Sequence, residues 1–154
     1  MQVKTLALVL AAIGSATMAQ AQTLRPTLDY ASAATIRDTC LAWADERNFE
    51  LAIAVFDDAG RLIAFAHMDG TATAVGDVAR WKGESAASYR FSSRATGEWN
   101  GQGAPRLAHW EGGVPIFDAD GMGLGGVGVS GAESSDDVAC AVAGIEAAGL
   151  LTRP

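Results

Sequence analysis

The glycine-rich segment from Gly121 to Ala132 has the spacing that most resembles a chemical site. Its letters, GMGLGGVGVSGA, contain G-x-G-x-x-G twice, which is the spacing of a loop that holds a diphosphate at a helix N-terminus. A dinucleotide site also needs a second parallel strand and an acidic residue about 20 residues further on. Only one predicted helix follows the segment in this sequence, so we do not expect a dinucleotide site.

The same segment has a period of two that predicts a β-strand. On one face it places Leu124, Gly126, Gly128 and Ser130. Glycine inside a strand marks the close approach of a ligand, a helix or another backbone. We therefore expect Gly126 and Gly128 to lie beneath either a broad, flat ligand or a closely packed helix or partner subunit, and we favour the packed element.

Lys82 is the side chain best suited to acid–base or covalent chemistry. It falls within an apolar helical stripe that includes Ala79 and Ala86. A lysine removed from water loses its proton more readily and can then act as a base or nucleophile. Lys82 is therefore a candidate catalytic residue in a pocket. Its other interpretation is a basic residue on a solvated helix face, paired with Glu84.

The two cysteines, Cys40 and Cys140, fall near opposite ends of the chain. The sequence allows a disulfide between the first and last predicted helices. It equally allows two separate buried thiols, because free cysteine packs as a small hydrophobic residue. Two cysteines alone do not indicate a zinc site, which usually has four ligands.

The N-terminus has the pattern of a secretory signal. Lys4 precedes an apolar run, and Ala19-Gln20-Ala21 matches an A-x-A cleavage site. We predict a signal peptide over residues 1–21, a single domain over residues 22–154, and a periplasmic or secreted protein. The apolar run is too short to span about 30 Å of hydrocarbon, and we expect no membrane span in the mature chain.

The charge of the chain excludes one class of partner. The 154 residues carry a formal net charge of −7 at pH 7. An acidic chain of this kind repels nucleic acid and anionic lipid. We therefore expect neither nucleic acid nor an anionic membrane surface as a partner.

The elements that must position these residues alternate between helices and hairpins. The order helix, hairpin, helix, hairpin, helix predicts an α/β domain of the α+β kind, with an antiparallel sheet flanked by helices. The predicted helices cover Asp29–Asn48, Val75–Phe91 and about Ser134–Ala148, and the predicted strands cover Leu51–Phe56, Arg61–His67, Val114–Phe117 and the glycine-rich segment.

Two groups of motifs resemble the GlcG/HbpS family, also known as DUF336 and related to the C-terminal domain of PduO-type proteins. The first group is NFELAIAVFD from Asn48, then Gly60, then Met68-Asp69-Gly70. The second group is EGGVPI from Glu111 and GVGVSGA from Gly126, followed by Asp136-Asp137 and Cys140-Ala141. The resemblance covers nearly all of the predicted mature chain.

This resemblance implies a fold, a cofactor and an assembly. The fold is a central antiparallel sheet of about five strands flanked by helices. The cofactor is haem or a related tetrapyrrole, and the assembly is a homo-oligomer. Haem iron takes His, Met, Cys or Tyr as axial ligand, so the possible ligands are His67, His109, Met68, Tyr30 and Tyr89. His67 or His109 is the candidate iron ligand, although for each histidine taken alone we favour a surface or structural role.

The remaining contacts to haem follow from charge and shape. Arg80, Lys82 and Arg90 on the second predicted helix are candidates for the haem propionates, and Gly126 and Gly128 are candidates for the flat face of the macrocycle. The function favoured by the resemblance is an exported haem-binding protein with a haem-handling or redox-sensing accessory role. The alternatives are a small-molecule enzyme with Lys82 in its pocket and an accessory subunit for a periplasmic oxidative pathway.

Overall fold

A computed structural model describes residues 24–101 and 103–154 of the chain. The predicted signal peptide, residues 1–21, lies outside the described residues. Within them, helices and strands alternate in the predicted order, with one short helix added after α2. The helices are α1 Tyr30–Asp45, α2 Thr73–Tyr89, α3 Ser93–Gly97 and α4 Ser134–Ala147, and the strands are β1 Ala52–Asp57, β2 Leu62–His67, β3 Gly113–Phe117 and β4 Gly123–Ser130.

The four strands form one antiparallel sheet in the order β2-β1-β4-β3. This confirms the α+β class and the antiparallel sheet, whereas the expectation of about five strands is too high by one. Beyond β3, Leu151 makes an isolated bridge to Phe117. Among the described residues this single bridge is the only pairing outside the four strands, and it is too short to count as a fifth.

Helices cover both faces of the sheet. On one face, α1 and α4 pack against alternate strand residues, and the resulting core includes Ile36, Val55, Val127 and Ile145, all fully buried. Because successive side chains of a strand point to opposite faces of the sheet, apolar residues recur at every second position of these strands. On the opposite face lies α2, so the sheet is the middle of three layers.

Glycine residues set the distance between α2 and the sheet. A Cβ at Gly83 of α2 would lie 2.8 Å from both the carbonyl oxygen of Ala54 and the backbone nitrogen of Gly128. A Cβ at Gly126 would lie 2.8 Å from the carbonyl oxygen of Gly83. The bare face of β4 is therefore covered by a closely packed helix. The space above Gly126 and Gly128 is filled by α2, so these two residues have no room to contact the face of a macrocycle.

We expect Gly128→Ala to lower the free energy of unfolding by about 3 kcal/mol, because the added methyl group meets helix backbone that cannot rotate away. Urea unfolding followed by circular dichroism measures this loss. The control is Gly60→Ala in the β1–β2 turn, where a Cβ would have no neighbour within 4 Å. There the cost is the left-handed backbone alone, about 1 kcal/mol. Equal losses at the two positions would contradict tight packing at Gly128.

A disulfide joins the two helices that share one face of the sheet. Cys40 of α1 and Cys140 of α4 are bonded, with their Cα atoms 4.9 Å apart and a separation of 100 positions in sequence. Both cysteines are fully buried. The bridge therefore links the beginning and the end of the described fold.

None of the helices in residues 24–101 and 103–154 combines the length and the apolar character that crossing a membrane requires.

Candidate functional site

His109 lies in the loop before β3, at a cavity of about 590 Å³. The cavity is also lined by Trp99, Leu107 and Trp110, together with the C-terminal turn of α3 around Thr96. A cavity of this volume is in the range that holds a drug-sized or cofactor-sized molecule. All of its lining residues come from one stretch of the chain, between Thr96 and Trp110.

The tryptophans of this cavity are held by edge-to-face contacts. Trp81 of α2 packs its ring against His109 with centroids 4.8 Å apart, and against Trp110 at 5.9 Å. Trp99 contacts Tyr89 at 5.8 Å and Phe91 at 5.2 Å. Such pairs contribute about 0.5–1.5 kcal/mol each beyond their buried area. The cavity therefore has two fixed aromatic walls although Trp99 and Trp110 remain 41% and 56% exposed.

The imidazole of His109 is open to a ligand. The residue is exposed, and neither ring nitrogen makes a hydrogen bond to any described residue. An imidazole nitrogen without a competing partner can coordinate a haem iron. In the described part of the chain, no cluster of three His, Cys, Asp or Glu side chains is arranged for a metal ion.

His67 lies in a separate and smaller cavity of about 280 Å³, which it shares with Arg80. Its Nε2 is 3.3 Å from the carbonyl oxygen of Ala72, which favours the tautomer with the proton on Nε2. The guanidinium of Arg80 stacks on the ring of Phe65 at 4.4 Å. The structure thus brings together one predicted axial ligand and one predicted propionate partner. However, Asp77 also lines this cavity, and its carboxylate would repel a propionate.

Lys82 is buried between α2, β4 and α4. Its Nζ donates to Asp137 Oδ2 at 2.8 Å, to the carbonyl oxygen of Val129 at 2.9 Å and to Ser130 Oγ at 3.4 Å. Three acceptors match the three N–H groups of an ammonium. Lys82 therefore lines none of the cavities described here and is fully occupied by protein partners. The interpretation of Lys82 as a reactive amine or a propionate partner loses its geometric support.

Asp137 is the carboxylate of this buried ion pair. Burial raises the pKa of Asp137, and the hydrogen bond and the charge of Lys82 act in the opposite direction. Its other oxygen accepts the N–H of Ala132 at 3.1 Å, just before α4 begins. Asp137 also lies in the first turn of α4, where an acidic side chain interacts favourably with the positive end of the helix. The structure shows in addition that Asp137 is the partner of Lys82.

The other predicted ligands lie apart from one another. Met68 is half-buried, and its sulfur accepts the N–H of Leu51 at 3.4 Å. The hydroxyl of Tyr89 donates to the carbonyl oxygen of Pro105 at 2.7 Å. Tyr30 is exposed at the start of α1. Arg90 lines a third cavity, beside β3.

The sequence analysis missed Trp81 and Trp99 as parts of the site. Trp99 and Trp110 line the cavity, and Trp81 packs against His109 and Trp110. The helical position of Trp81 gives no local spacing that links it to the two tryptophans of the later loop. The sequence shows only that several large aromatic side chains fall among polar residues between positions 89 and 110.

The comparisons with known proteins decide the family. The family model described as haem degrading protein HbpS-like matches residues 28–146. The chain belongs to the HbpS-like family. A relative, protein GlcG of Escherichia coli strain K12, is 37% identical over 93 residues, which are 56% of this chain and 69% of that protein.

Solved structures show the same fold. The PduOC:heme complex superposes with a TM-score of 0.76 at 16% identity, covering 84% of this chain and 100% of that one. A double mutant of HbpS from Streptomyces reticuli superposes with a TM-score of 0.74 at 25% identity, covering 92% and 97%. The family predicted from the NFELAIAVFD, EGGVPI and GVGVSGA motifs is therefore confirmed. The association of this family with haem agrees with the cofactor predicted from the sequence.

Proposed function

We propose that this protein binds haem in the cavity beside His109, with His109 as the axial ligand of the iron. The observation that carries the proposal is an exposed imidazole, without a hydrogen-bond partner among the described residues, in a cavity of about 590 Å³ with tryptophan walls. The family description and the haem complex of a structural neighbour support haem as the ligand class.

The residues of this cavity fit a haem group chemically. His109 supplies the nitrogen ligand, and Trp99 and Trp110 supply apolar faces for the macrocycle. Trp81 packs edge-to-face against the His109 ring, with the ring centroids 4.8 Å apart. When bound, haem supplies an iron whose oxidation state can change. The protein contributes binding, orientation of the imidazole and partial exclusion of water by Leu107, which is 8% exposed.

We expect His109→Ala to weaken haemin binding at least tenfold, about 1.4 kcal/mol, because the coordinate bond to iron is lost. Titration of the protein with haemin, followed in the Soret region, gives both the affinity and the spectrum. The absorption maximum should also move, since the axial ligand sets the electronic state of the iron.

The matched control is His67→Ala, which removes the other histidine of the chain. We expect its haemin affinity to stay within about twofold of the wild type, equivalent to about 0.4 kcal/mol. A Soret spectrum altered only by His67→Ala would move the site to the smaller cavity with Arg80. A titration that never saturates would end the haem proposal altogether.

We also infer that the protein is exported to the periplasm or beyond and acts as a homo-oligomer in haem handling or redox sensing. The signal-peptide pattern of residues 1–21 supports export, and the disulfide suits an oxidising compartment. Exposed Phe91, Trp99 and Trp110 support self-association, since large exposed aromatic side chains mark contact surfaces. Cell fractionation with N-terminal sequencing tests cleavage after Ala21, and light scattering on the mature protein tests the assembly.

A further inference from the structure

A second cavity, of about 510 Å³, lies along the outer edge of β3. Its walls come from β3, from α4 and from the segment that joins α2 to α3. The apolar part of the lining includes Phe91, Val114, Pro115, Phe117, Val138 and Val142. We refer to this cavity as the edge cleft. Its lining shares no residue with the lining of the His109 cavity.

The edge of β3 inside the cleft cannot accept another strand. Alternate residues of an edge strand point their backbone groups outward, and here these are Gly113, Pro115 and Phe117. The N–H of Gly113 donates to Ser93 Oγ at 2.8 Å, and Phe117 exchanges two hydrogen bonds with Leu151 at 2.8 and 2.9 Å. Proline has no N–H to offer. The cleft therefore lacks the donors that an added peptide strand would need.

The rim of the edge cleft carries three arginines, Arg90, Arg94 and Arg153, against one side-chain carboxylate, that of Glu111. Arg94 forms a loose ion pair with Glu111, with Nη1 and Oε1 3.7 Å apart. Within the described residues, Arg90 and Arg153 have no carboxylate within 4.0 Å. The stem of Arg90 lies over Gly123, where a Cβ would come within 2.9 Å of its Cδ. Gly123 thus leaves the space that this arginine occupies.

This local excess of positive charge contrasts with the rest of the protein. The chain has 18 acidic and 11 basic side chains, so its surface as a whole repels anions. A positive rim on an otherwise acidic surface attracts an anion selectively to the cleft. Guanidinium groups bind a carboxylate through paired hydrogen bonds.

We propose that the edge cleft binds an organic carboxylate with an apolar body, such as a medium-chain fatty acid. The hydrocarbon part would lie against the valines, Pro115 and Phe117. The carboxylate would lie at the rim with Arg90 and Arg153. This ligand site is separate from the haem site beside His109 and does not depend on it.

Octanoate is the test ligand, and 1-octanol is its neutral counterpart of equal chain length. Calorimetric titration of the mature protein should show saturable binding of octanoate at one site per chain, with 1-octanol at least tenfold weaker. The double variant Arg90→Gln/Arg153→Gln should lose at least tenfold in octanoate affinity. Both side chains are exposed, so these substitutions are compatible with folding, and circular dichroism verifies this.

Arg47→Gln is the matched control, because Arg47 is an exposed arginine at the end of α1, stacked on Trp43 and outside the cleft. Its octanoate affinity should equal that of the wild type. Three results would overturn the proposal: equal binding of octanoate and 1-octanol, unchanged affinity in the double variant, and competitive displacement of octanoate by haemin. Simultaneous binding of haemin and octanoate would support two separate sites.

Discussion

Replacing Asp137 by Asn should lower the free energy of unfolding by about 3–5 kcal/mol, because it leaves the ammonium of Lys82 buried without a counter-charge. Lys82 and Asp137 are only 3% and 2% exposed. The amide oxygen of Asn can still accept the N–H of Ala132, so the start of α4 keeps its hydrogen bond. The loss therefore reports on the ion pair. Urea unfolding followed by tryptophan fluorescence and circular dichroism measures it.

Asp136→Asn is the control for this prediction. Asp136 lies in the same first turn of α4 but forms no ion pair with Lys82. Only its favourable position near the helix N-terminus is lost, at about 0.3–1 kcal/mol. The double variant Lys82→Met/Asp137→Leu should recover much of the stability, because it removes both charges and fills the space with apolar atoms. Equal losses in Asp136→Asn and Asp137→Asn would contradict the buried pair.

Loss of the Cys40–Cys140 disulfide should lower the free energy of unfolding by an amount similar to that expected for Asp137→Asn. Its bridge closes a loop of 100 residues, for which the restriction of the unfolded chain gives about 4–5 kcal/mol. The variant Cys40→Ala/Cys140→Ala should unfold at a correspondingly lower urea concentration. Because both sulfurs are buried, part of this change comes from lost packing.

Unfolding of the wild type under reducing conditions separates the two contributions. Reduction keeps both sulfur atoms in the core and removes only the covalent link. We expect reduction alone to cause most of the loss in the free energy of unfolding. The alanine variant should be less stable by about a further 1 kcal/mol. A wild type whose midpoint does not change with reductant would show that the bridge adds little.

Much of the fold follows from local patterns in the sequence. The alternation of Val127 and Val129 with Gly126 and Gly128 fixes which face of β4 enters the core and which face stays bare. The sequence also indicates that a bare strand face needs a close neighbour. It does not identify the neighbour, because Gly128 contacts Ala79 and Gly83, which precede it by 49 and 45 positions.

The candidate site was less accessible from the sequence for the same reason. Lys82 and Asp137 are 55 residues apart, and nothing in either local pattern identifies the other as its partner. Arg80 lies within α2, and Arg90 is the residue that directly follows the last turn of this helix, ten positions further along the chain. At 1.5 Å per residue this separates the two by about 15 Å along the helix axis. They therefore lie in different cavities and cannot both bind the propionates of one haem. Sequence order alone grouped them.

The satisfied edge of β3 limits how copies of this protein can join their sheets. With Gly113 and Phe117 already bonded and Pro115 lacking an N–H, continuous β-sheet can extend only from β2, at the opposite end of the strand order. Because each molecule has one edge that can accept a strand, two molecules can pair symmetrically through their β2 strands. The pair then exposes only its two blocked β3 edges, so no further strand can be added. Fibre-like growth by strand addition is thereby prevented, even in a compartment where the protein accumulates.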